Sequence, residues 1–155
     1  MEKLKCFFQT EDSISSLVLR VALGVAIFPH GAQKLLGWFG GHGLEATLGF
    51  FTSKMGIPYF IAILVIIGEF FGALGLITGF LTRFCAAAMA TIMAGGVAMV
   101  HWNIGFFMNW SGKQAGEGFE YHILAIGIAT ALIIIGGGSF SIDQWISKKF
   151  LHHES

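Results

Sequence analysis

Charged residues are scarce in this sequence. Nine basic and nine acidic side chains make up 12% of the 155 residues, whereas soluble domains carry about 25%. The two signs balance to a net charge of zero and no basic block occurs, which argues against nucleic acid as a partner. Because 55% of the residues are hydrophobic, the composition also argues against an ordinary soluble domain.

Cysteine is nearly absent, and so are the motifs of the common redox cofactors. Cys6 and Cys85 are far apart and form no Cys-x-x-Cys pair, which argues against a disulfide framework and against a thiol–disulfide relay. The sequence has no glycine-rich turn of the kind that binds flavin or nicotinamide cofactors. Redox chemistry would therefore need a partner subunit, or direct transfer between bound organic molecules.

Long apolar segments dominate the chain. A membrane-spanning helix needs about 20 mainly apolar residues, and four segments meet this requirement: 16–38, 59–81, 84–102 and 119–138. Residues 44–55 have apolar side chains at helical spacing but are too few to span, so we expect a helix that lies on the membrane surface. The prediction is a single all-α domain over residues 1–155, a polytopic membrane four-helix bundle with a short interfacial helix between the first two spans.

Lysine and arginine are unevenly distributed between the two sides of such a bundle. One side carries Lys34, Lys54 and Lys113. The other side carries six basic residues: Lys3, Lys5, Arg20, Arg83, Lys148 and Lys149. Since the side richer in basic residues is normally cytoplasmic, the pattern predicts that both termini are cytoplasmic.

Small residues predict which helix faces pack together. The second span carries four glycines at close helical spacing, which permit close backbone approach: Gly68, Gly72, Gly75 and Gly79. The third span has an alanine stripe at Ala90, Ala94 and Ala98, and the fourth has Gly127 and Ala131. These positions fit either a compact bundle or the seam of a homo-oligomer.

Ionisable residues interrupt the spans, and such residues usually face a bundle interior or a water-filled cavity. In the first span Pro29 should kink the helix, and His30 and Lys34 lie on one side at i, i+4. Glu69 lies at a similar depth in the second span, so we expect His30 and Glu69 to meet. Structural alternatives exist: His30 could satisfy the carbonyl freed by Pro29, and Lys34 could extend to the interface.

A shallower polar layer is expected from Lys34, His101 and Glu120. His101 continues the alanine stripe of the third span, and Glu120 is in line with Leu124, Gly127 and Ala131. Histidine and carboxylate together can relay protons or hydrogen-bond the oxygens of a quinone. A transition metal is the alternative, but the Glu-x-x-His repeats of bundle metal sites are absent and Lys34 disfavours a cation. His122 is expected to be an interfacial residue.

Several segments resemble the DoxX family of small integral-membrane proteins. These segments are Leu19–Gly24, His30-Gly31-x-x-Lys34 with the glycine-rich stretch to Leu44, Gly68-Glu69 with Gly72, Gly79-x-Leu81-Thr82-Arg83, Gly118–Tyr121 and Ser139–Asp143. The resemblance covers about residues 16–144 and implies four helices in a bacterial-type inner membrane. It also implies a link to quinone or catechol chemistry, because the family is named from a subunit of a thiosulfate:quinone oxidoreductase. The stretch Gly136-Gly137-Gly138 departs from the family's Gly-Pro-Gly-Arg turn.

The expected function is a redox-linked inner-membrane subunit that binds quinone, or a quinone-like molecule, in a pocket in the outer half of the bundle. Residues are expected in three roles: Glu69 and His30 as catalytic residues, Lys34, Glu120 and His101 as ligand-binding residues, and Pro29, Gly31, Arg20 and Arg83 as structural residues. The expected partners are the lipid bilayer and either a redox subunit or further copies of the chain. A small-molecule transporter and a membrane scaffold for a soluble redox enzyme remain as alternatives.

Overall fold

A computed structural model describes Phe8 and residues 10–151. Lys3, Lys5 and Cys6, which entered the topology and cysteine arguments, lie outside the described residues. The described residues form helices and no strand, as predicted. In chain order the helices are α1 (Ile14–Leu36), α2 (Gly43–Ser53), α3 (Tyr59–Thr78), α4 (Thr82–Gly96), α5 (Glu120–Ile135) and α6 (Ile142–Leu151).

Three helices in the described ranges are long and apolar enough to cross a membrane: α1, α3 and α4, the last extended to His101 by a π-helical turn, Val97–His101. The apolar helix α5 is shorter than the predicted fourth span. Its 16 residues rise about 24 Å. It ends at Ile135 because Gly136 adopts φ +81°, a left-handed value that the helix cannot continue through.

The four apolar helices pack as antiparallel neighbours. Helix α1 packs mainly against α3, and α4 packs against both α3 and α5, while α1 meets α5 less extensively. At one end of the bundle, α1 and α4 begin and α3 and α5 end; we call it the arginine end, since Arg20 and Arg83 lie there. The opposite end holds His101 and His122 and is called the histidine end.

Glycine lets α1 approach α3 closely, as expected in a membrane bundle. A Cβ on Gly24 would lie 2.8 Å from the Ala73 carbonyl oxygen, and one on Gly31 would lie 2.6 Å from the Phe70 nitrogen. The predicted packing role of the α3 glycines is confirmed at Gly72 and Gly75, which are buried.

The predicted inward faces of α4 and α5 are wrong. Ala94 and Ala98 are exposed, and the buried face of α4 consists of Thr82, Cys85, Ala86, Met89 and Met93. In α5, Leu124 is 67% exposed, Gly127 has open space around its Cα, and Ala125, Ala129 and Leu132 are buried. The flexible side chains of Met89 and Met93 fill the space between the helices, while Ala94 and Ala98 face outward.

Two short helices flank the bundle. Helix α2 forms where the interfacial helix was predicted, and none of its residues is buried. Helix α6 was not predicted, and it holds Asp143 in its first turn. The buried Asp143 carboxylate accepts hydrogen bonds from the backbone N–H groups of Leu81 and Thr82, both at 2.8 Å. It therefore caps the first turn of α4, where backbone donors lack helical partners.

Candidate functional site

The most buried acidic residue within a candidate span, Glu69, is paired with Lys34. The Lys34 ammonium lies 2.5 Å from a Glu69 carboxylate oxygen, and only 7% of the Glu69 side chain is exposed. Sequence reasoning expected His30 to contact Glu69, but in the described part of the chain Glu69 pairs with Lys34. His30 is exposed, yet it lies close enough to interact electrostatically with both members of the pair.

The backbone contact between α1 and α3 sets the position of this ion pair. Gly31 lies directly against the Glu69–Phe70 backbone, where a Cβ would lie 2.8 Å from the Glu69 carbonyl carbon. Lys34 follows three residues later, on the same side of α1, and so reaches Glu69. Phe28 and Phe70 pack next to this contact with ring centroids 5.4 Å apart. Helix α1 runs through Pro29 without a break.

Tyr121 brings an unpaired polar atom close to this pair. Its hydroxyl oxygen is buried and has no hydrogen-bond partner among the described residues, and it interacts electrostatically with Glu69. Buried hydroxyls are normally hydrogen-bonded, so each exception calls for an explanation. The sequence analysis noted Tyr121 only as part of the segment Gly118–Tyr121, because nothing in the pattern shows that its hydroxyl interacts with Glu69.

The histidine end holds a pair of imidazole rings. The ring centroids of His101 and His122 are 4.2 Å apart, and Nδ1 of His122 is buried without a hydrogen-bond partner among the described residues. Nδ1 of His101 lies 2.7 Å from the Glu117 carbonyl oxygen. His122 was predicted to be an interfacial residue, and its contact with His101 was missed.

The π-helical turn explains how His101 reaches this position. The Trp102 N–H donates to the Val97 carbonyl at 2.8 Å, five residues earlier rather than four. This wider turn shifts the following residues around the helix axis. His101 therefore leaves the exposed face of Ala94 and Ala98 and contacts α5.

Glu120 does not join the Lys34–Glu69 pair by any hydrogen bond among the described residues. Its carboxylate accepts hydrogen bonds from the Met108 N–H at 2.9 Å and from the Trp110 indole N–H at 3.4 Å. The backbone N–H of Glu120 also donates a hydrogen bond to the Phe106 carbonyl at 2.9 Å. Glu120 thus holds the 105–119 loop on the start of α5.

Arg20 is fully buried at the arginine end, with 1% exposure. Its guanidinium donates to the carbonyl oxygens of Leu76 and Ile77 at the end of α3. It also donates to three carbonyls beyond α5: Gly137, Ser139 and Phe140. Arg83 donates to the carbonyl oxygens of Ile133 and Ile134 near the end of α5. A cationic group at this position stabilises the helix, because the helix dipole is negative at its C-terminus.

Further polar contacts join the chain before α1 to the turn before α6. The Gly138 N–H donates to the Thr10 hydroxyl at 2.6 Å, and the Ser139 hydroxyl donates to Asp12 at 2.5 Å. Hydrogen bonds from Ser139 and Gln144 lower the pKa of Asp12 below its ordinary value. These hydrogen bonds join the segment before α1 to the segment before α6. The sequence analysis noted Ser139 only as part of the segment Ser139–Asp143, which resembles the family pattern.

Metal ligands do not cluster in the part of the chain that the structure describes. No group of three or more His, Cys, Asp or Glu side chains there is arranged to hold a metal ion. The His101–His122 pair has two potential nitrogen ligands, and Glu69 is already paired with Lys34. The polar groups near the histidine end are therefore better suited to hydrogen bonding and proton exchange.

Comparison with known proteins identifies related sequences. The DoxX family model matches residues 15–102. "Putative oxidoreductase CatD" of Bacillus subtilis (strain 168) is 29% identical over 135 residues, which cover 87% of this chain and 89% of the relative. "Inner membrane protein YqjF" of Escherichia coli (strain K12) is 28% identical over 139 residues, which cover 90% and 97%. No solved structure matches with significance.

Proposed function

The chain belongs to the DoxX family, and from this premise we propose that it is an inner-membrane protein that binds quinone, or a quinone-like aromatic molecule, at the Lys34–Glu69 pair. The ligand's ring lies among the apolar helices and its oxygen faces Lys34. One relative bears the name of an inner-membrane protein and another the name of an oxidoreductase. Both names support a redox-linked role in that membrane.

The observation that carries the proposal is the buried Tyr121 hydroxyl, which has no hydrogen-bond partner among the described residues and interacts electrostatically with Glu69 of the ion pair. Quinone oxygens accept hydrogen bonds, and a tyrosine hydroxyl and a lysine ammonium both donate them. A flat apolar ring suits a site lined by apolar helices with few polar groups. Tyr121 and Lys34 are therefore the groups that fix the polar head of the ligand.

Glu69 and His30 act on protons in this proposal. Glu69 accepts a hydrogen bond from the Lys34 ammonium, and in this proposal a ligand oxygen that competes for Lys34 leaves Glu69 as the group that accepts a proton. His30 lies near the same pair and is exposed at the bundle surface. Because no flavin or nicotinamide motif is present in the sequence, a partner redox subunit supplies or accepts the electrons.

The test uses the purified chain in lipid nanodiscs with a short-chain benzoquinone. Binding to the folded state at a hundred times Kd stabilises it by about 2.7 kcal/mol, so the thermal midpoint of the wild type should rise. The rise should be much smaller in Tyr121→Phe and in Glu69→Gln. Glu45→Gln removes the same charge at an exposed site on α2 and should keep the full rise.

Two results would overturn the proposal. One is an equal midpoint rise in Tyr121→Phe, Glu69→Gln and the wild type, which would place the quinone elsewhere. The other is robust counterflow of a small aromatic or sulfur compound in proteoliposomes, unaffected by quinones, which would make transport the better account. Quinone binding without solute flux supports the redox-linked function.

A further inference from the structure

The loop between α4 and α5 has an apolar part followed by a polar part. Residues 104–110, here called the aromatic segment, contain Phe106, Phe107 and Trp110, which are 46%, 67% and 89% exposed. The rings of Phe106 and Phe107 are in contact, with centroids 5.1 Å apart. Residues 111–117, the polar segment, are small or polar, and all except Gly116 are exposed. Neighbouring exposed apolar side chains of this kind usually mark a surface that contacts a protein or a membrane.

The lengths of α4 and α5 leave room for the aromatic segment. With its π-helical turn, α4 has 20 residues and rises about 30 Å, which matches the apolar thickness of a bilayer. The 16 residues of α5 rise about 24 Å. The two helices are level at the arginine end, because Arg83 in the first turn of α4 donates to the carbonyls of Ile133 and Ile134 in the last turn of α5. The difference of about 6 Å therefore falls at the histidine end, where the loop lies.

The aromatic segment packs beside the first turn of α5. The Phe106 carbonyl accepts a hydrogen bond from the Glu120 N–H, and the Met108 N–H donates to the Glu120 carboxylate, both at 2.9 Å. The Trp110 indole N–H donates to the same carboxylate oxygen at 3.4 Å. Gly118 is buried against the segment, and a Cβ there would lie 2.6 Å from the Phe106 carbonyl oxygen. The segment therefore lies at the level where α5 begins.

Several backbone N–H groups of the aromatic segment are hydrogen-bonded within the protein. The Gly105 N–H donates to the His101 carbonyl at 3.3 Å, and the Asn109 N–H donates to the Glu117 carboxylate at 2.7 Å. Backbone groups without a protein partner are costly next to lipid, because little water is available to bind them. Together with the contact of the Met108 N–H, these hydrogen bonds suit the segment to a place beside lipid.

We propose that the aromatic segment inserts into the membrane interface at the histidine end and supplies the apolar length that α5 lacks. Its partner is lipid: the exposed rings contact the upper part of the acyl chains, while the polar segment stays in water. Tryptophan favours this region because its ring is apolar and its N–H is polar. The inference does not involve the Lys34–Glu69 pair, so it holds or fails independently of quinone binding.

The first experiment measures the depth of the loop with nitroxide spin labels on the full chain in nanodiscs. Cys6 and Cys85 are replaced in every variant, so that only the introduced cysteine is labelled. Phe107→Cys reports on the aromatic segment, and Gln114→Cys, at an exposed position of the polar segment, is the matched control. Leu124→Cys, at a position 67% exposed on α5, gives the value for acyl chains. EPR compares collisions with oxygen, which concentrates in lipid, and collisions with a water-soluble nickel chelate.

The label at position 107 should collide more often with oxygen than with the nickel chelate, as at position 124, and the label at position 114 should do the reverse. The same preference for the nickel chelate at positions 107 and 114 would overturn the proposal, because the aromatic segment would then face water. Low collision rates with both reagents at position 107 would also overturn it, because protein, such as a second copy of the chain, would then cover the segment.

A second measurement leaves the aromatic segment unchanged. The fluorescence of Trp110 is obtained as the difference between the wild type and Trp110→Phe, in nanodiscs with and without lipids brominated near the headgroup. Brominated lipid should quench this difference, as expected for an indole in contact with lipid. Fluorescence of Trp110 that brominated lipid leaves unchanged, but that a water-soluble quencher removes, would overturn the proposal even if the label at position 107 reports lipid.

Discussion

At the scale of single residues, the bundle compensates two cations in different ways: Lys34 is partly buried and Arg20 is fully buried. Lys34 has one carboxylate partner, Glu69. Arg20 has five backbone carbonyls from two segments, with Asp143 near enough to interact electrostatically. A ligand oxygen can compete for Lys34 by displacing a single contact, whereas five contacts to Arg20 must break together. This difference is consistent with the ligand-binding role proposed for Lys34 and with a structural role for Arg20.

The ion pair should show strong coupling in a double-mutant cycle. Lys34→Met leaves the Glu69 charge buried without its partner, whereas Glu69→Leu leaves the partly exposed Lys34 ammonium unpaired. Lys34→Met should lower the free energy of unfolding by about 3 kcal/mol and Glu69→Leu by less, because water can reach Lys34, while the double variant should recover most of the loss. Denaturant unfolding in mixed micelles measures these differences. Additive losses would show that the two residues do not interact in the folded protein.

Part of the site could be read from the sequence, and the reason for the rest is geometric. His30, Lys34 and Glu69 were found because ionisable groups in apolar spans are costly. The sequence did not identify Lys34 as the hydrogen-bonded partner of Glu69. His30 and Lys34 lie on one side of α1, and the spacing does not fix which one reaches α3; His30 is near enough to interact electrostatically with Glu69. The direction of the Tyr121 hydroxyl depends on the rotation of α5, which has no sequence signal.

At the scale of helices, the Gly31 contact determines the separation of α1 and α3. Helices in lipid gain little from the hydrophobic effect and depend on close packing. The positions of the α1, α3 and α4 spans were predicted from segment length and hydropathy alone. Length and hydropathy could not predict the inward face of α4, because Ala94 and Met89 are equally acceptable to lipid. The π-helical turn was missed for a related reason, since residues 97–101 are compatible with a regular helix.

Enlarging Gly31 should push α1 away from α3 and weaken the ion pair. Gly31→Ala should lower the free energy of unfolding by about 1–3 kcal/mol, because the added Cβ meets backbone atoms of Glu69 and Phe70. Gly127→Ala on α5 is the matched control, since nothing lies within 4 Å of its added Cβ. The control should be neutral or stabilising by up to about 1 kcal/mol. Equal destabilisation by both changes would contradict the close contact.

At the scale of the whole molecule, the two ends of the bundle differ in chemistry. The histidine end holds the candidate site, the imidazole pair and the loop fastened by Glu120. The arginine end holds buried arginine and serine contacts that tie the terminal segments to the bundle. The orientation of these ends in the membrane decides which compartment the candidate site lies nearer to.

The distribution of lysine and arginine predicts that the arginine end is cytoplasmic. Reporter fusions after Lys149 should therefore report the cytoplasm, and fusions within residues 113–118 should report the outside. Both sets of fusions are made in the same chain and expressed under the same conditions, which controls for differences in expression level. The reverse pattern would place the candidate site in the cytoplasmic half of the membrane, with the contacts of Lys34 and Glu69 unchanged.

The carbonyl contacts of Arg20 have a consequence for biosynthesis. Arg20 is synthesised before three of its acceptors, Gly137, Ser139 and Phe140, which follow 117 to 120 residues later. An arginine costs about 2.5–3.5 kcal/mol to insert at the centre of an isolated helix, and less towards a helix end, where Arg20 lies in the second turn of α1. Helix α1 therefore enters the bilayer with its guanidinium only partly compensated, and chains truncated before Gly137 should be retained near the insertion machinery or degraded. The segment that follows α5 therefore completes the compensation of a charge in α1.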